Sequence, residues 1–446
     1  MQTSFTLAQL ADPNIAEADR ILRSCVHCGF CTATCPTYVL LGDELDSPRG
    51  RIYLIKDMLE NERPATPDVV KHIDRCLSCL SCMTTCPSGV HYMHLVDHAR
   101  AHIESSYRRP PIDRLIRALL ARVLPRNDFL RWALVAARPA RPFAGLFTAL
   151  GLEPVAALLR LAPGRRPAKP VIAGRRLYPP QGSRRGRVGL LAGCVAPVIA
   201  PSISESTIRL LTRHGIEVVV ADAGCCGSLV HHMGRKQEAL ATARRQIDAW
   251  IAEMQADGLD GLLITASGCG TTVKDYGYML RTDEQHAEKA ARISQLARDV
   301  SEYLAGLEMS PARSVSDVVV AYHSACSLQH GQKLGSTPKE LLSKFGFVVK
   351  DVPEGHLCCG SAGTYNILEA EIARRLRDRK IANIEKLKPD VIAAGNIGCM
   401  TQIAAGTAIP VVHTVELIDW ATGGPRPEAL AGRGVRAATA EAVPAM

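Results

Sequence analysis

A chain of 446 residues carrying a net charge of +9 is long enough for two or three separately cored domains. Aromatic residues are only 4%, which argues against a stacking nucleic-acid surface, and no run approaches the 18 or so apolar residues of a membrane-spanning helix. Sixteen cysteines follow a start, "MQTSFTLAQLADPN", with no basic n-region and no apolar run, so the expectation is a cytoplasmic chain whose thiols serve metal ligation or redox chemistry rather than disulfides.

In chain order the first feature is "CVHCGFCTATCP", with Cys25, Cys28, Cys31 and Cys35, and it recurs as "CLSCLSCMTTCP", with Cys76, Cys79, Cys82 and Cys86. Both runs are C-x2-C-x2-C-x3-C-P, the spacing of bacterial two-cluster ferredoxins. In those proteins three thiolates of a run hold one [4Fe–4S] cube and the fourth crosses to the other. On that pattern Cys25, Cys28, Cys31 and Cys86 form one ligand set, and Cys76, Cys79, Cys82 and Cys35 the other. The competing reading is a pair of zinc knuckles or inert thiols, against which the triplet-plus-one spacing and the two complete copies both count. Small residues between the ligands, Gly29, Ala33, Ser78 and Ser81, suit loops whose amides point at sulfide. Pro36 and Pro87 are expected to turn the chain away after the last ligand.

Between the runs, "DSPRGRIYLIKDMLENE" predicts a helix capped by Ser47 with Pro48 at its first position and a stripe of Ile52, Leu54, Ile55, Met58 and Leu59. The first unit is therefore an α-helical two-cluster ferredoxin-type domain, 1–105, with a helical insert.

A basic connecting segment, 106–186, follows. Arg108 to Arg187 holds 18 Arg or Lys against Asp113, Asp128 and Glu153, a balance of +15 that leaves −6 for the rest of the chain. Its Leu, Trp132 and Phe between spaced arginines fit interfacial helices docked on anionic lipid, at the inner face of the cell membrane, or on a subunit bound there; they fit a solvated helical linker equally well.

The remaining eight cysteines form a repeat of single Cys, Cys-Cys-Gly, single Cys. Cys194, Cys225, Cys226 and Cys269 belong to the first copy, 187–310; Cys326, Cys358, Cys359 and Cys399 belong to the second, 311–420. Apolar runs ("RVGLLAG", "IEVVVADA", "GLLITAS"; "DVVVAYH", "FGFVVKDV", "DVIAAGN") alternate with helical stretches, which predicts tandem α/β repeats with parallel sheets. Nearly every cysteine then falls just after a strand, at the sheet edge where α/β ligand sites lie. The four thiols of each copy fit an additional cluster, a redox dithiol or structural cysteines. Glycines 227 and 360 fit a close backbone approach to a cofactor or simply a turn. The histidines near these motifs, His231, His232, His323 and His356, are expected to be hydrogen-bonding residues. The tail, 421–446, is small and Gly/Pro/Ala-rich and is expected to be flexible.

The paired ferredoxin runs, the "DSPRGRIYLIK" helix, "SGCGTTVKDYG" and the two cysteine-rich repeats, in this order, resemble the iron–sulfur subunits of bacterial glycolate oxidase, within the heterodisulfide-reductase-like cysteine-rich superfamily. Iron–sulfur subunits of anaerobic glycerol-3-phosphate dehydrogenase and of lactate utilisation share the layout. The resemblance implies two [4Fe–4S] clusters in an electron-transfer subunit, an FAD-binding partner subunit that oxidises the 2-hydroxy acid, and quinone as the onward acceptor. One departure stands out. Each repeat here ends in a single cysteine, Cys269 or Cys399, where heterodisulfide reductase has C-x-x-C, so a five-thiolate cluster lacks a ligand; an ordinary cluster, a site with a non-cysteine ligand or an empty vestige remain. The chain has no nucleotide loop, P-loop or nucleophile elbow, and no residue is assigned a catalytic role. Clusters pass single electrons, so oxidation of a hydroxy acid requires the flavin partner. A thiol–disulfide reductase and a redox-responsive scaffold are the other classes compatible with these motifs.

Overall fold

The computed structural model describes residues 1–162 and 174–431 and the backbone of 438–439. In the first unit, helices Pro13–Ser24, Pro48–Glu60, Pro67–Asp74 and Tyr92–Ser106 each begin on a proline or follow a turn, and Asp12, Ser47 and Thr66 cap the first three through their side chains. The helix expected after Ser47 is present, with Ile52, Ile55, Met58 and Leu59 buried and Leu54 half-buried. The four buried residues pack with Ile21, Leu22, Ile73, Leu95, Val96 and Ile103 into one apolar core. At about 1.5–3 kcal/mol for each fully buried aliphatic side chain, this core holds the two cysteine loops against a common support.

Pro36 does not simply end its loop. It opens a new helix, Pro36–Leu41, because its fixed φ suits a first helical position and its missing N–H is unneeded there.

The connecting segment is helical over Pro111–Val123, Asn127–Ala137, Ala144–Ala149 and Glu153–Leu161. Residues 163–173 of it lie outside the described residues. Its far end belongs to the next unit: Arg176–Tyr178 is a strand paired antiparallel with Ile216–Val220, an edge that a reading based on purely parallel sheets lacks.

The first repeat builds a sheet in the order 176–178, 216–220, 186–191, 261–264, 297–299, parallel except at that edge. The second builds a parallel sheet in the order 411–413, 391–394, 319–323, 348–351. All six expected strands form. Central strands such as Val188–Leu191 are buried on both faces, as crossover helices require. One apolar core runs through both sheets, joining Val188, Leu190 and Val218 to Val320, Tyr322, Val391 and Trp420. The two repeats are further clamped by Asp419, fully buried, which accepts from Arg209 and from Arg213 at 2.9 Å.

Residues 421–431, expected to belong to a flexible tail, are packed against the second repeat. Ala421 and Leu430 are fully buried, and the Gly424 N–H donates to the Asp419 carbonyl at 2.7 Å. Its remainder, 432–446, lies outside the described residues apart from the backbone of 438–439.

Candidate metal centres

Each ferredoxin-type loop reverses direction within a few residues. His27 (φ 55°) and Gly29 (φ 83°) in the first, Ser78 (φ 48°) and Leu80 (φ 62°) in the second, adopt left-handed conformations at matching positions. Only one of the four is glycine, so the chain tolerates backbone strain of order 1 kcal/mol or more at each of the others to hold this shape. Alternating left- and right-handed residues turn successive amides inward, which makes a concave anion-binding loop suited to a sulfide-rich cluster. The third cysteine of each loop then rides on a short helix, Phe30–Ala33 or Ser81–Thr85.

Two cavities result. Cys25, Cys28, Cys31, Cys82 and Cys86 line one. Cys35, Cys76, Cys79 and Cys82 line the other. Each cavity thus takes thiols from both loops: Cys35 joins three thiols of the second loop, Cys86 joins three of the first, and Cys82 borders both cavities. Among the described residues no three of these cysteines bring their sulfurs within 4.8 Å of one another, as suits thiolates that bind separate irons of a cube. Burial pushes Cys31 up to about 11 and holds Cys79 and Cys82 well above the usual thiol range, with neighbouring thiols adding to the effect. Thiolates in such places need a cation beside them, which cluster iron would supply. The donor set, its spacing and its burial fit two [4Fe–4S] clusters.

The second cavity is backed by a polar knot that spacing alone does not reveal. Asp46, fully buried, accepts from Arg51 at 3.3 Å and from Arg75 at 2.8 Å, and lies 3.0 Å from His72 Nδ1. Arg51 also donates to the His72 carbonyl at 2.7 Å and to Thr37 Oγ1 at 3.0 Å, and its Nη1 lies 3.8 Å from Cys35 Sγ. Burial opposes the Arg51 charge, but Cys76, Tyr92, Cys35 and Asp46 outweigh it and keep the guanidinium protonated. Tyr92 Oη donates to Cys76 Sγ at 3.8 Å. Asp46 and Arg51 stand beside the cysteine motifs in "LDSPRGR", and a buried charge pair in a helix cap is the one signal that could have found them.

The repeat cysteines converge as well. Cys194 and Cys225 have sulfurs 3.6 Å apart, and Cys226 lies beside both Cys225 and Cys269. Hydrogen bonds from Cys194, Cys226 and the Gly227 amide hold Cys225 well below the usual thiol range, while Cys194 and Cys226 are pushed up. In the second copy Cys326 and Cys358 are 3.7 Å apart, and Cys359 lies between Cys358 and Cys399. The glycine after each pair holds a left-handed turn, and at the second packing also excludes a side chain. Gly227 and Gly360 both have φ 85°, and a Cβ on Gly360 would sit 2.4 Å from the Ala373 carbonyl oxygen of helix Ala370–Glu385. Their N–H groups donate to Cys225 and Cys358 at 3.4 Å.

Seven of the eight repeat cysteines, all but Cys359, line one shared cavity of about 250 Å³ between the two sheets. Leu124, Leu130, Leu134, Leu158 and Leu161 of the connecting helices wall its other side. The second ferredoxin-type cavity adjoins this system, since Leu77 and Cys79 pack with Cys358 and Tyr365 in one buried cluster that Cys326 joins at its edge. Of the histidines, His231 Nε2 lies 3.2 Å from Asp97 and behaves as expected. His323 does not: it is buried with neither ring nitrogen hydrogen-bonded.

Fold and cysteine geometry together define an iron–sulfur protein with a dicluster module followed by tandem cysteine-rich domains. The 4Fe-4S dicluster domain matches residues 21–90, and the cysteine-rich domain matches residues 188–274 and 320–404. The chain is 44% identical to the glycolate oxidase iron-sulfur subunit of Escherichia coli K12, over 94% of this chain and 99% of that one. A probable glycolate oxidase iron-sulfur subunit of Bacillus subtilis is 29% identical over 90% of this chain and 94% of its own. Lactate utilization protein A of Bacillus licheniformis is 23% identical, over 52% of this chain and 99% of its own. The chain belongs to the family of glycolate oxidase iron–sulfur subunits. A hypothetical protein of Helicobacter pylori shares the fold, with a TM-score of 0.54 at 10% identity over 94% of this chain and 74% of that one.

Proposed function

We propose that this chain is the electron-transfer subunit of a glycolate oxidase complex, in which an FAD-binding partner subunit converts glycolate to glyoxylate and the electrons pass through this chain toward quinone. The observation that carries the reading is the pair of cavities with exchanged fourth cysteines. One [4Fe–4S] cluster is held by Cys25, Cys28, Cys31 and Cys86, the other by Cys76, Cys79, Cys82 and Cys35. Bound there, the clusters supply one-electron storage; the chain's own part is to position them, shield them and set their potentials. Arg51 and Tyr92 place donors at the Cys35 and Cys76 sulfurs, and both interactions favour added negative charge. The contact of Cys79 with Cys358 extends the line of sites toward the repeats. Clusters pass single electrons, so substrate oxidation falls to the flavin partner.

The connecting helices expose Ile112, Leu115, Leu119, Trp132, Leu146 and Leu150 among their arginines, which supports peripheral attachment to an anionic bilayer. No helix among the described residues is long and apolar enough to cross a membrane.

The experiment is anaerobic co-expression with candidate flavoprotein subunits. The expected result is co-purification, about eight irons from two cubes, and bleaching of cluster absorbance on adding glycolate but not acetate. Bleaching by lactate in place of glycolate would reassign the substrate, and fewer irons would overturn the two-cluster core.

A further inference from the structure

The two repeats differ at one buried position. Strand Val319–His323 ends on His323, three residues ahead of Cys326; the corresponding strand of the first repeat ends on Leu191, three residues ahead of Cys194. His323 is 1% exposed, and neither Nδ1 nor Nε2 has a hydrogen-bond partner. A buried imidazole with both nitrogens unmet is costly, and a native chain retains one when something else satisfies it.

A ring nitrogen of His323, Cys359 Sγ and Cys399 Sγ all lie within 4.8 Å of one another. Among the described residues no other triple containing a cysteine is this tight, the ferredoxin-type loops included. Donor spacing separates the two kinds of centre. Around one tetrahedral ion with metal–sulfur bonds near 2.3 Å and metal–nitrogen bonds near 2.0 Å, donor atoms sit roughly 3.4–3.8 Å apart. A cube instead spreads its thiolates over separate irons. Cys358 stands beside Cys359, with Cys326 3.7 Å from Cys358; neither lies within 4.8 Å of all three donors, so the fourth thiolate has to move in from this pair.

We propose that the second repeat binds a single tetrahedral divalent cation of the zinc class through His323, Cys359 and Cys399, with a fourth thiolate from the Cys326–Cys358 pair. Three sulfurs and one imidazole make a closed structural set, which exchanges no electrons and fixes the strand ends of the second sheet. The first repeat, with Leu191 in place of the imidazole, does not form this site. The ion would join the loops after three parallel strands, and its loading would release protons from the thiols that bind it.

The test uses the full-length chain, purified anaerobically from cells supplied with both iron and zinc, and counts metals per chain. The expected result is one zinc in addition to the cluster iron. His323→Leu, which copies the first repeat, should lose the zinc and keep its iron and its [4Fe–4S] signals. His323→Cys should keep an ion. In cobalt-grown protein the tetrahedral d–d and thiolate charge-transfer bands should be present, shift in His323→Cys and vanish in His323→Leu. Zinc absent from the wild type, or retained in His323→Leu with unchanged cobalt bands, would overturn the site, as would loss of iron in place of zinc. The iron count separately tests the two-cluster reading, so the two can fail independently.

Discussion

Arg51 offers the sharpest test of how the protein sets a cluster potential. Its Nη1 lies 3.8 Å from Cys35 Sγ in a fully buried pocket, and Cys35 lines only the second of the two cavities. At an effective dielectric of about 20, a unit charge at that separation is worth about 4 kcal/mol, which for a one-electron couple corresponds to roughly 170 mV. This is a ceiling, because the added electron spreads over the cube beyond the sulfur and Asp46 partly offsets the guanidinium. Replacing the charge in Arg51→Gln should therefore lower the midpoint of one cluster by on the order of 100 mV. Arg51→Lys keeps the charge without the planar fork and should recover most of the shift. The assay is a potentiometric titration followed by electron paramagnetic resonance, in which the two clusters are resolved. A folded Arg51→Gln protein in which neither potential moves, or both move equally, would refute the argument, because the structure places this cation beside one ligand set alone.

Three further outcomes follow from the same geometry. Cys86→Ser should abolish the same cluster signal as Cys31→Ser, and Cys35→Ser the same signal as Cys82→Ser, each removing about half the iron; a pairing by loop instead of by cavity would show in the spectra. Gly360→Ala combines a left-handed φ with a Cβ 2.4 Å from a helix carbonyl, so it should cost about 2–5 kcal/mol in a denaturant titration. Gly227→Ala, where the nearest atom is 3.2 Å away, should cost less. Glu369 is raised to about 7 by burial, with Asp74 adding to the effect and Arg75 and Arg117 opposing it. Its folded value exceeds its unfolded value of about 4.3, so the folded chain holds the proton more tightly and stability falls as pH rises from there through about 7. Glu369→Gln should flatten that part of the stability profile, measured as melting temperature against pH.

Much of this was legible in local sequence because the signals are local. The cysteine spacing gave the two ligand sets as an expectation, Ser47-Pro48 marked a helix start, and apolar runs ahead of each repeat cysteine marked six strands. What escaped depends on partners distant in sequence. The strand 176–178 is three residues long and owes its existence to pairing with 216–220, so propensity does not announce it. The Asp46 knot gathers residues 46, 51, 72 and 75 from separate elements. Leu430 sits in a Gly/Pro-rich stretch that composition reads as loose, yet it is buried in the core shared by both repeats. His323 looked like an ordinary polar neighbour of a cysteine motif. Only the surroundings show that no donor or acceptor meets it.

The packing of Leu77 and Cys79 against Cys358, Tyr365 and Ile372 bears on how the protein is made. These contacts join a loop synthesised early to a segment that emerges some 280 residues later. Cys79 therefore gains its full cover only when that segment docks, and a cluster inserted before docking would meet a more open loop than one inserted after it.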